Sequence, residues 1–154
     1  MRRFRYREPG PLARAWLLPF GVRPSNSWVD VGEGELVAVF GRWTIRTPLA
    51  NVAEAKVTGP YRPYRSIGLR LSLSDHGVTF GTTSGPGVCI TFREPVRSVT
   101  VPPWKHPSLT VTVEEPHELV DLLSREMTSR SPSRRIESKE HDPQPVKGGE
   151  VISQ

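Results

Sequence analysis

Leu109-Thr110-Val111-Thr112-Val113-Glu114-Glu115-Pro116-His117-Glu118-Leu119-Val120-Asp121-Leu122-Leu123 contains a change of hydrophobic period within fifteen residues. Leu109, Val111 and Val113 alternate with threonine, which lines them up on one face of an extended strand. From Pro116 the apolar residues fall instead at spacings of three and four: Leu119, Val120, Leu122, Leu123 and, further on, Met127. Proline at the first helical position, with Glu115 and Glu118 near the positive end of the helix dipole, marks where the strand gives way to a helix. A strand that ends the β region and runs into one amphipathic helix requires an apolar sheet face, or the open end of a barrel, for that helix to cover.

Upstream of this switch the chain reads as strands. Val occurs 17 times and Ala 6 times, and β-branched side chains fit a pleated sheet better than a helix. Sixteen prolines and 13 glycines cut the sequence into short pieces, the spacing of an antiparallel all-β domain. Arg3 to Arg7 alternates so that Phe4 and Tyr6 share a face, and Ala15 to Phe20 reads as a short buried run, a packed arm. Ser27–Val31 and Glu35–Phe40 form a hairpin across Gly32-Glu33-Gly34, and Trp43–Thr47 follows the tight turn Gly41-Arg42. Asn51–Thr58 is a further strand, and Leu69, Leu71 and Leu73 alternate in another. Val78–Thr82 and Val88–Phe92 read as a hairpin around Thr83-Ser84-Gly85-Pro86-Gly87. The expected fold is mainly β, an antiparallel sandwich or partly open barrel of about seven strands capped by the C-terminal helix. It occupies residues 1–127. The remaining 27 residues, 128–154, hold only Ile136, Val146, Val151 and Ile152 as apolar residues and are expected to be a disordered tail.

About seven strands followed by one C-terminal helix resembles a pleckstrin-homology-like domain. The phrases Pro48-Leu49-Ala50-Asn51-Val52, Thr58-Gly59-Pro60-Tyr61-Arg62, Gly81-Thr82-Thr83, Gly87-Val88-Cys89-Ile90, and His106-Pro107 leading into Leu109 to Glu114 resemble an uncharacterised actinobacterial protein family across roughly residues 3–125. The resemblance implies a binding module of bacterial pleckstrin-homology-like type and carries no assigned activity. In lipid-binding pleckstrin-homology domains the first hairpin loop holds phosphates with basic residues. The matching loop here, Asp30 to Glu35, contains three acids that repel a phosphate.

Catalytic constellations are not legible in the chain. Asp75-His76-Gly77 has the composition of a turn, His106 sits in the proline-locked Pro102-Pro103-Trp104-Lys105-His106-Pro107, and no histidine pair has the spacing of a helical metal site. Cys89 lies within a strand pattern and reads as a core residue, and one cysteine forms neither an internal disulfide nor a thiolate zinc site. The loop from Gly81 to Gly87 lacks the Gly-Lys-Ser/Thr ending of a P-loop and precedes a strand. These readings predict no catalytic residue, no metal and no cofactor. No apolar run approaches the roughly 20 residues of a membrane span, and the Arg-rich start is unlike a secretory signal, so the expected setting is cytoplasmic, with a peripheral position on the inner face of the membrane as the alternative.

Charge is unevenly distributed. The formal net charge of +5 coincides with that of residues 1–23, where six arginines face Glu8 alone, while residues 24–127 carry −1 and the tail +1. Two surfaces therefore stand out. Tyr61, Arg62, Tyr64, Arg65 and Trp104 are the residue types enriched at interaction hot spots and predict contact with a protein partner. Arg2, Arg3, Arg5 and Arg7 predict, as the alternative, contact with an anionic lipid surface; nucleic acid is the weaker expectation. The competing structural reading of those arginines is the solvated face of an edge strand, with Phe4 and Tyr6 packed inward.

Overall fold

Two-residue turns set the first sheet. At the Gly32–Glu35 reversal, Glu33 and Gly34 take φ of 52° and 85°, both positive, as a tight hairpin twisted to match its strands demands. Gly41, with φ of 62°, opens the next reversal. The computed structural model describes residues 1–59, 68–71, 76–83, 85–97 and 105–130. Strands β1 (Arg2–Arg5), β2 (Ser27–Gly32), β3 (Glu35–Phe40) and β4 (Trp43–Pro48) form a four-stranded antiparallel sheet in the order β1-β2-β3-β4. Register carries Phe4, Val29, Ala38 and Ile45 across all four strands in one row, and each is buried.

A 3₁₀ turn, Leu49–Asn51, leads from β4 into the second sheet. The Asn51 amide clamps this corner: Nδ2 donates to Thr47 Oγ1 at 3.0 Å and to the Glu94 carbonyl at 2.9 Å, and Oδ1 accepts from Glu94 N–H at 2.8 Å. Beyond it lie β5 (Val52–Thr58), β6 (Gly68–Leu71), β7 (Val78–Gly81), β8 (Gly87–Arg97) and β9 (Lys105–Val111), ordered β5-β8-β9-β7-β6. Two helices complete the described fold, α1 (Pro11–Leu17) and α2 (Pro116–Arg130). The protein is thus mostly β, two sheets facing across one core, and the sheets do not close into a barrel. Phe40 of the first sheet stacks on Phe80 of the second at 5.2 Å between ring centroids.

Helix α2 packs over β5, with Leu119 and Leu123 buried and Val120, Leu122 and Met127 partly so, the face its spacing predicts. It runs to Arg130, three residues past the expected domain end; the tail beyond lies outside the described residues. Two expectations are corrected. β7 and β8 are not a hairpin, because β9 lies between them, parallel to β7 and antiparallel to β8. β7 instead pairs antiparallel with β6, since a short alternating strand fits any neighbour that buries its apolar face. Ala15 to Phe20 is not a buried run: only Leu17 of that stretch is buried. Pro11 starts α1 and Pro19 and Gly21 stop the chain shortly after, and a helix of seven residues with Leu17 as its one buried side chain turns most of its circumference outward.

Candidate binding surface at the N-terminal segment

Alternation in β1 sends Phe4 and Tyr6 into the core and the arginines outward. The strand then passes from one sheet to the other: Arg7 N–H donates to the Thr112 carbonyl and Glu114 N–H to the Arg5 carbonyl, each at 2.9 Å, and Tyr6 bridges to Val113. Arg2 and Arg3 are engaged within the molecule. Arg2 pairs with Glu118 at the start of α2 and lies over the Phe4 ring at 5.0 Å. Arg3 donates through Nε and Nη2 to the two carboxylate oxygens of Asp30, both at 2.8 Å, and lies over Trp28 at 4.5 Å. That hydrogen bond raises the Arg3 pKa further, so the guanidinium stays charged. Asp30, read in the sequence as a repelling loop acid, is a buried strand residue with this partner. Arg5 has no ion-pair partner among the described residues and borders, with Arg3, Tyr6, Glu8, Trp28 and Glu114, a cleft of about 370 Å³.

A different surface emerges just downstream. Leu12 is 89 %, Trp16 65 %, Leu18 51 % and Phe20 44 % exposed, all within nine residues of α1 and the 3₁₀ turn that follows it. Leu12 and Trp16 are four apart and share one side of the helix. Leu17 and Val22 anchor the segment by entering the core. On its inner side, Arg7, Arg14 and Arg23 line a narrow cleft with Tyr6, Ser27 and Thr82, and no acid lines it. None of these three arginines has an ion-pair partner among the described residues. Arg7 is held by its backbone, whose carbonyl accepts from Thr82 Oγ1 at 2.5 Å, and its guanidinium lies where a Cβ on Gly85 would be. Tyr6 also lines the cleft, and its hydroxyl is buried with no hydrogen-bond partner among the described residues. Burial pushes its pKa well above 10, so it remains a donor.

Of the groups that invited a catalytic reading, His76 and His106 are neighbours through a single hydrogen bond to backbone, and Asp75 lies outside the described residues. His106 is buried on β9, its Nδ1–H donating to the His76 carbonyl at 3.1 Å; His117 is exposed at the start of α2; Cys89 is half-buried on β8. No group of three or more His, Cys, Asp or Glu that suits a metal occurs among the described residues. Tyr61, Arg62, Tyr64, Arg65 and Trp104 lie outside the described residues. No helix among the described residues is long and apolar enough to cross a membrane. No family model, curated protein or solved structure matches the chain.

Residue-level reading of the sequence found the arginines of β1 but missed the exposed apolar segment beside them. The signal was present. Pro11, Pro19 and Gly21 confine the run to little more than two helical turns, too short to be covered on every side.

Proposed function

We propose that this chain is a non-catalytic binding module, of the pleckstrin-homology-like kind its strand and helix order resembles, and that its contact surface is the N-terminal segment around α1. One observation carries the reading: Leu12, Trp16, Leu18 and Phe20 are all at least 44 % exposed on a segment that Leu17 and Val22 hold against the core. Exposed large apolar residues scattered singly are ordinary, but four within nine residues mark a surface that something covers. Arg14 and Arg23, without an ion-pair partner among the described residues, add positive charge to the same segment.

A photoreactive aromatic residue replacing Trp16 in the full chain, compared with one replacing Tyr61 and one replacing Arg93 on the exposed part of β8, tests this in cells. Capture at position 16 exceeding that at 93 is the expected result. Equal, background labelling at 16 and 93 overturns it. Capture at 61 alone returns the contact to the tyrosine–arginine loop.

A further inference from the structure

We propose that the occupant of this surface is an anionic bilayer, with the apolar side chains of α1 entering the headgroup–acyl boundary and Arg7, Arg14 and Arg23 seated at the level of the headgroups. The proposal rests on the reading of the N-terminal segment as the contact surface and names what it contacts.

Placement around α1 is the first argument. Leu12 and Trp16 share one side of the helix, while Arg14, two residues from each, projects from the opposite side and lines the inner cleft with Arg7 and Arg23. A segment lying in a membrane interface has this division, apolar side chains deepest and cations at headgroup depth. The second is charge. Three arginines line one cleft that no acidic residue lines, although Glu8 and Glu114 border the neighbouring cleft. Arg2 and Arg3, by contrast, have internal carboxylates. Like charges gathered without counter-charge raise the local potential and attract an anionic surface. The third is shape. At 89 % exposure Leu12 stands out from the surface, and a fluid bilayer accepts a protruding apolar tip without needing a matching pocket. The assignment moves lipid contact away from Arg2, Arg3 and Arg5 of β1, which the alternation alone singled out together with Arg7. Of those four, only Arg7 lines the cleft.

Flotation of the full chain with phosphatidylcholine vesicles, with and without about 30 % phosphatidylserine, tests the proposal. Recovery with the anionic vesicles at about 0.1 M salt, falling steeply at about 0.5 M, is expected as screening shortens the range of the field. Arg14→Gln with Arg23→Gln weakens partitioning by about 25-fold, roughly fivefold for each arginine. The control pair Arg93→Gln with Arg97→Gln removes the same charge from exposed positions of β8 and weakens it less than threefold. Leu12→Ser with Trp16→Ser reduces recovery with the anionic vesicles at least tenfold while circular dichroism stays that of the parent. Equal recovery with neutral vesicles, or equal losses in the two arginine pairs, overturns the proposal. So does no recovery at all. The crosslinker at position 16 separates that failure from failure of the broader reading. If it captures a protein while vesicles recover nothing, the binding surface stands and the bilayer falls; if it captures nothing, both fall.

Discussion

Tyr6 carries an unusual combination: its ring meets the edge of Phe40 at 5.3 Å, yet its buried hydroxyl has no hydrogen-bond partner among the described residues. An unsatisfied buried hydroxyl costs about 1–3 kcal/mol, so Tyr6→Phe is expected to stabilise the fold by about 1 kcal/mol in urea titration at neutral pH. The sign with pH follows from the raised pKa. Below pH 10 the phenol is protonated in both folded and unfolded chains. Above it the unfolded chain releases the proton first, and stability falls as pH rises toward the folded-state value. Tyr6→Phe is expected to remove that part of the alkaline loss, read as a smaller drop in urea midpoint between about pH 9 and pH 11. An identical alkaline drop in the variant refutes the assignment. The inward direction of Tyr6 was legible in the alternation of residues 3–7; its missing partner was not, because hydrogen bonding depends on chain far away in sequence.

Helices α1 and α2 show how far local pattern reaches. α2 spans 15 residues, long enough for a repeated three-and-four spacing to name its buried face, and Leu119 and Leu123 are indeed buried. Leu123→Ala is expected to cost about 2–5 kcal/mol by chemical denaturation. Leu12→Ser, on α1, is expected to change stability by less than about 0.5 kcal/mol, as suits a side chain 89 % exposed. A loss at Leu12 comparable to that at Leu123 rules out the exposed placement. The β3–β4 reversal makes a further demand on its glycine. At Gly41, with φ of 62°, an added Cβ would stand 2.9 Å from Val22 Cγ2 and 3.1 Å from the Gly21 carbonyl oxygen. Gly41→Ala is therefore expected to cost more than about 1 kcal/mol, from strain and contact together. That turn was readable as Gly41-Arg42; the close approach of residues 21 and 22 was not.

Across the whole molecule, the stacked Phe40 and Phe80 join the two sheets. A double-mutant cycle of Phe40→Leu and Phe80→Leu is expected to show a coupling of about 0.5–1.5 kcal/mol, and strict additivity would show that the rings act independently. Sheet order is where sequence reasoning stopped. β9 inserts between β7 and β8 although β7 and β8 are nearer in the chain, because burying both apolar faces outweighs the convenience of a short hairpin. The sequence by itself determined the β-rich composition, the tight turns, the inward faces of β1 and α2, and the concentration of positive charge in the first 23 residues. Each is encoded within a few residues, by period, turn chemistry or simple counting. Only the tertiary structure decided strand neighbours, which arginines pair with Asp30 and Glu118, and which side of an apolar run meets the core. Those depend on partners dozens of residues away, and an alternating or apolar stretch reads the same whichever partner it meets.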